Sequence, residues 1–249
     1  MIVIKTRQEI EKLRLANQIV AKALKKLMEM VKVGITTIEL DEAAEGMVRA
    51  DGAKPSFKGY RGFPKSLCTS INEEVVHGIP GGRKLKNGDI LKIDLGAEYD
   101  GFYGDAALSL PVGDISDEAK KLLKVTREAL YLGIDQMRAG KRLYDISHAI
   151  QSHAESQGYS VVRDFVGHGI GAKPHEDPQV PNYGKKGMGP ELKEGMVLAI
   201  EPMVNVGVYN VDVLEDNWTV VTQDRKLSAH FEHSVAITAN GPDVLSEIS

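Results

Sequence analysis

The sequence predicts an α+β chain built from two related halves, and three observations predict it. Four segments carry helical periodicity, and strands follow each pair of them. Gly34 and Gly52 bracket the second helical segment, and Gly140 and Gly158 bracket the fourth at the same 18-residue separation. Leu85-Lys-Asn-Gly-Asp-Ile-Leu-Lys-Ile-Asp94 aligns with Leu192-Lys-Glu-Gly-Met-Val-Leu-Ala-Ile-Glu201, with Leu, Lys, Gly, Leu and Ile recurring in place. Common turn chemistry accounts for the glycines. It accounts poorly for a ten-residue match, so one internal duplication is expected, with halves near 1–114 and 115–249 in a single domain over 1–249.

The first helical segment places Ile10, Leu13, Ala16, Val20, Leu24, Leu27 and Val31 on one stripe, with charged residues between them. The second opens at Thr36 with Glu39 three residues on, a capping-box pattern, and runs to about Ala50. The third starts near Ser116 and turns Ala119, Leu122, Leu123, Thr126, Leu130, Gly133 and Met137 inward. The fourth runs from about Leu143 to Ser156. Residues 89–96 alternate and then meet Asp100-Gly101, a hairpin signal that makes 102–112 the return strand. Residues 196–201, 204–213, 218–222 and 231–238 read as further strands. The Gly- and Pro-rich stretch 167–190 reads as an ordered loop.

Composition narrows the function classes. The 249 residues are 42% apolar and 27% charged, which excludes wholesale disorder. The net charge of −4 leaves no global basic field for nucleic acid. A single cysteine, Cys68, excludes a disulfide framework and a Cys-rich zinc module, and fits a reducing compartment. No signal peptide or membrane-length apolar run is seen, so a cytoplasmic protein is expected.

The chemistry sits in carboxylates that interrupt apolar strands. Asp94 lies inside one, where an unpaired charge is costly. With Asp100-Gly101 as the turn, Gly96 opposes Asp105, which puts Asp94 and Asp105 diagonally on one face. Glu201 ends the repeat-equivalent strand, and Glu232 interrupts another. Four converging carboxylates carry a charge of about −4, which two divalent cations would balance. Carboxylates with one imidazole suit Mn, Fe(II), Co or Zn, and such a pair can activate a water for hydrolysis. Of the seven histidines, His168, His175 and His77 lie in Gly/Pro-rich segments and are expected to supply one ligand and two groups that orient a substrate. His148 and His153 read as structural, and His230 and His233 receive no role.

Segments 72–80, 88–105, 167–183, 199–202 and 231–238, in this order, resemble the type I methionine aminopeptidases of the bacterial kind, over essentially the whole chain. The resemblance implies a pita-bread fold, with pseudo-twofold αββ halves around a strongly curved antiparallel sheet flanked by helices. It implies two divalent metal ions. Asp94 would hold one, Asp105 and Glu232 would bridge, and His168 and Glu201 would complete the other site. His77 and His175 would contact the scissile peptide, and Glu201 would relay the proton. The methionine side chain would enter a pocket of Tyr60, Phe63, Cys68 and Trp218, with Cys68 as inert lining. The implied activity is removal of the initiator methionine from nascent chains with a small second residue. N-terminal Met peptides would be the partners, with a transient ribosome contact, no nucleic acid, no membrane and a monomeric state.

Some positions depart from the family pattern. Pro174 stands where an aromatic is common before the second loop histidine, Phe63 where Tyr is common, and Phe57 where a small residue or Cys is common. Ala106-Ala107 replace a frequent Thr or Ser. None removes a ligand, and all bear on pocket shape. The competing expectations are a proline-directed aminopeptidase or dipeptidase of the same fold, a non-catalytic pita-bread binding module, and a dinuclear phosphoesterase on another fold. The first would bring a large extra N-terminal domain, the second would have lost ligands, and the third would want more histidines and a phosphate-cradling loop.

Overall fold

The computed structural model describes residues 1–247; the last two residues of the expected 1–249 domain lie outside them. Helices α1 (Arg7–Met30) and α2 (Thr37–Ala50) both start with a reciprocal capping box, Thr6 with Glu9 and Thr36 with Glu39. Each box satisfies two backbone donors that a helix start leaves unpaired. Helix α3 (Asp117–Ile134) is capped by Ser116, whose hydroxyl accepts from the Ala119 N–H. Helix α4 (Leu143–Ser156) completes the second pair. The predicted stripes face inward: Leu13, Val20, Leu24, Leu27 and Leu122 have no exposed surface. Val31 caps α1 from outside, and Met137 lies beyond α3 yet is fully buried.

The helices pack on a curled antiparallel sheet of nine strands. Its centre is the hairpin of Ile90–Tyr99 with Phe102–Pro111. Asp100 and Gly101 both take positive φ, 49° and 77°, as a type I′ turn requires. The register pairs Gly96 with Asp105 and Asp94 with Ala107, as the turn position predicts. Outward on one side, Leu67–Ile71 and Lys54–Pro55 both pair with Ile90–Tyr99. On the other side follow Glu232–Thr238, Val197–Ile200, Gly167–Gly169 and Glu176–Val180. Helices α1 and α2 cover the first hairpin around Leu24, Leu40, Leu91 and Ile93. Helices α3 and α4 cover the other strands around Leu122, Ile146, Leu198 and Val235. Helix α1 comes so close to the hairpin that a Cβ on Gly104 would lie 2.5 Å from the Ala16 carbonyl carbon. Only glycine allows that approach. No helix among the described residues is long and apolar enough to cross a membrane.

Two segment expectations change. The stretch 167–190 is not wholly loop, because Gly167–Gly169 and Glu176–Val180 join the main sheet. Their glycines disguise them: a Cβ on Gly169 would lie 2.2 Å from the Asp177 carbonyl oxygen, so the strand needs a residue type that strands usually avoid. The stretch 204–213 is two strands in two separate small sheets, Met203–Asn205 and Val211–Val213. Between them Asn205 donates its side-chain N–H to the Val208 carbonyl, and this local bond takes the place of a ladder. The short strands Leu67–Ile71 and Glu74–Val76, which carry Cys68 and lead into His77, gave no period-2 signal.

Candidate active site

Strand alternation aims Asp94 and Asp105 to one side of the central hairpin. Asp105 is anchored through its backbone: its N–H donates to Asn17 Oδ1 of α1 at 3.2 Å, and its carbonyl accepts from Ser234 Oγ at 2.9 Å. Glu232 opens the neighbouring strand opposite Ala107, which brings its carboxylate beside Asp105. His168 enters from the Gly167–Gly169 strand, paired with Ala199, and Glu201 follows the end of that partner strand. The His168 Nδ1–H donates to the Gly169 carbonyl at 3.0 Å, leaving Nε2 3.5 Å from Glu201 Oε1. That bond selects the tautomer whose Nε2 lone pair is free for a metal.

Ligand atoms of Asp105, His168 and Glu232, all three buried, lie within 4.8 Å of one another. Asp94 and Glu201 are half-buried at the same place. All eleven residues singled out in the sequence line one cavity of about 140 Å3: these five, His77, His175, Tyr60, Phe63, Cys68 and Trp218. Phe57 and Arg61 line it too.

The electrostatics of this cluster favour a bound cation. Burial raises the Asp94 carboxyl to about 7. Burial, and then the charges of Asp94 and Glu201, hold Asp105 well above the usual carboxylate range. Glu201 and Glu232 are raised by the same two causes, burial first and neighbouring carboxylates second. Asp94 Oδ1, Asp105 Oδ1 and Glu232 Oε1 are buried without a hydrogen-bond partner. Orphaned anionic oxygens around a bare imidazole nitrogen fit a hard or borderline divalent cation. Burial, and then His175, lowers His168 to about 3, so it is the neutral, ligating form near neutral pH.

A pH dependence follows. In the metal-free protein the Asp94 carboxyl, raised to about 7, still holds a proton at pH 6, and a cation must displace it. Affinity for Mn(II) should therefore fall as pH falls from 8 to 6, by about tenfold per pH unit for each proton displaced. Calorimetry in two buffers of different ionisation enthalpy measures that proton release. Affinity that is flat with pH and without proton release would contradict the raised carboxyls.

The remaining residues form the cavity walls. His77 has φ +60°, a conformation uncommon for residues other than Gly, here in the lining of the cavity. Its ring meets Phe165 and Trp218 edge-on, at 5.5 and 6.4 Å between centroids. Burial, and then His175, lowers it to about 4. His175 lies over His168 at 4.2 Å and stacks on Tyr60 at 5.3 Å. Burial and the Arg61 charge lower its pKa. Phe63 and Trp218 meet edge to face at 5.1 Å and form an apolar wall. The Cys68 thiol is pushed well up by burial and by Asp94, so it lines the wall as an unreactive thiol.

His148 and His153 lie on α4, away from this cavity; His153 bonds Glu128 at 3.1 Å. His233 points to the opposite side from Glu232, toward Ser246 at 2.8 Å and Tyr131 at 3.3 Å. His230 was given no role by sequence reasoning, yet it is buried with an unpartnered Nε2, 3.7 Å from Glu201 Oε2. Its i, i+2 spacing to Glu232 was the available signal. Arg61 and its place in the cavity had no such signal.

The Metallopeptidase family M24 model matches residues 11–239. Methionine aminopeptidase 1 of Bacillus subtilis is 55% identical over 248 residues, covering 100% of both chains. The solved methionine aminopeptidase of Thermotoga maritima superposes with a TM-score of 0.98 at 48% identity, covering 99% of this chain and 100% of that one. Prolidase from Pyrococcus furiosus, at 24% identity and a TM-score of 0.80, covers 99% of this chain and 66% of that one; it shows the shared pita-bread fold alone. A metallopeptidase family and a carboxylate–imidazole cluster together support divalent metal use. With full-length identity above half to a methionine aminopeptidase, the chain belongs to metallopeptidase family M24, in its bacterial type I methionine aminopeptidase branch.

Proposed function

We propose that this enzyme releases the N-terminal methionine of nascent chains that carry a small second residue, using two divalent cations. The observation that carries the reading is the meeting, in one cavity, of the Asp94, Asp105, His168, Glu201 and Glu232 side chains with His77, His175 and the Phe63–Trp218 wall. Asp94 would hold one cation, Asp105 and Glu232 would be shared, and His168 and Glu201 would hold the other. Bound cations supply a polarised carbonyl and a water activated near neutral pH.

The chain's own residues do the rest. Phe63, Trp218, Tyr60 and Cys68 take the methionine side chain by apolar burial. His77 is neutral near pH 7 and keeps an N–H that can donate to the scissile carbonyl as charge develops on its oxygen. His175 flanks the same peptide from the Tyr60 side. Glu201 takes a proton from the attacking water and passes it to the leaving amine. As the resemblance to methionine aminopeptidases implies, a tight site beyond the scissile bond would favour a small second residue. Residues 1–249 would act as one catalytic domain with halves near 1–114 and 115–249. The enzyme would work in the cytoplasm as a monomer, with a transient ribosome contact.

The test is residue release from Met-Ala-Ser, Leu-Ala-Ser and Ala-Pro-Ser by metal-stripped protein reconstituted with Mn(II) or Co(II). Release from the first alone is expected. Cleavage of Ala-Pro-Ser instead would move the enzyme to the proline-directed branch, and no release with metal bound would leave a binding module.

A further inference from the structure

The cavity has two chemically different ends. One is the apolar wall of Phe63, Trp218 and Cys68. The other opens past Arg61 and His175 into a second cavity of about 520 Å3, which shares Arg61, His168 and His175 with the first. That volume lies within the roughly 300–1,000 Å3 of ligand clefts. A peptide whose first side chain fills the apolar end can run on into the second. The charges there are uneven. Glu176 is neutralised by Lys5, 2.7 Å away between nearly buried side chains, while Asp177 meets the Met1 amine at the exposed rim. Arg61 and Lys173, both exposed, make no ion pair among the described residues. Arg61 is presented by a turn in which it takes φ +49°, with its guanidinium over the Tyr60 ring at 5.4 Å. Tyr60 stacks in turn on His175, so the cation stands one ring from the groups beside the scissile bond.

We propose that Arg61 and Lys173 form an anion-binding subsite that selects acidic side chains in the peptide beyond the scissile bond, an inference that rests on the methionine aminopeptidase reading above. Two cations freed of carboxylate partners attract an anion that passes between them, and Arg can bind a carboxylate through two parallel N–H bonds. The attraction acts on substrate and transition state alike, so it lowers KM and leaves kcat nearly unchanged.

The experiment uses the metal-loaded enzyme and C-terminally amidated peptides Met-Ala-Xaa-Xaa-Xaa, with one Glu, Gln or Lys moved through the third, fourth and fifth positions. Amidation removes the terminal carboxylate, and a matched free-acid series shows whether that group competes for the same subsite. At low ionic strength Glu should exceed Lys in kcat/KM by about threefold to fivefold at one of these positions, the size of an exposed charge pair. The preference should sit in KM and shrink in 0.5 M NaCl. Double substitution Arg61→Glu with Lys173→Glu should reverse the Glu-to-Lys ratio. Equal kcat/KM for Glu and Lys at all three positions, or an unreversed ratio in the double variant, overturns the subsite and leaves methionine release standing. Failure to release methionine from any of the peptides, Gln series included, overturns the functional reading and the subsite with it.

Discussion

Asp105→Ala should lose metal and methionine release together. Asp105 contributes to the buried cluster with His168 and Glu232, and its Oδ1 has no other partner. The loss in metal affinity should exceed the roughly 10–100-fold cost of removing a mere outer-shell partner. The fold should survive, because both bonds that anchor position 105, to Asn17 and from Ser234, use its main chain. Asp105→Asn separates charge from shape. It keeps the side-chain volume but removes a buried carboxyl that is itself raised by Asp94 and Glu201 and whose charge raises Glu232. The metal-free Asn variant should therefore melt at or above the metal-free wild type, while metal no longer raises its melting temperature. Calorimetric metal titration and thermal melting read both effects. Either variant retaining wild-type affinity and turnover would remove Asp105 from the shared position.

His77→Ala should keep the metal and lose turnover. The His77 ring contacts Phe165 and Trp218, and among the described residues it makes no ion pair with the four carboxylates. Removing one donor to a developing oxyanion costs about 10²–10³ in kcat. Because position 77 has φ +60°, alanine also strains the backbone, so His77→Asn is the sharper variant. Both should bind Mn(II) with wild-type affinity and fall in kcat. His175→Ala should behave likewise, with a larger rise in KM, since it also unstacks Tyr60 and exposes His168. Release of metal by the His77 variants would show that the division between metal-holding and substrate-orienting histidines is wrong.

Much of the site could be read along the chain, for a physical reason visible in particular residues. Asp94 and Asp105 are joined by a two-residue turn whose chemistry, Asp100-Gly101, dictates register, so their common face followed from counting. Glu201 and Glu232 stood out because a carboxylate in an apolar strand needs a reason. The roles of His77, His175 and the pocket residues came from resemblance instead, since nothing in their local sequence says what they face. His230 and Arg61 were missed outright. The first stands beside the more conspicuous Glu232, and the second carries no local signal of what it faces.

By itself the sequence determined what short windows can encode. These are the capping box at Thr36, the inward stripes of α1 and α3, the central hairpin and its register, and the carboxylates that interrupt apolar strands. Each depends on contacts between residues a few positions apart, or across one tight turn. Only the tertiary structure decided that Gly167–Gly169 is a strand, that His230 faces Glu201, and that Arg61 and Lys173 share a groove with His175. Those facts depend on pairs separated by tens to more than a hundred residues. They are set by how the curled sheet brings its strands together, and no local period or propensity carries that information.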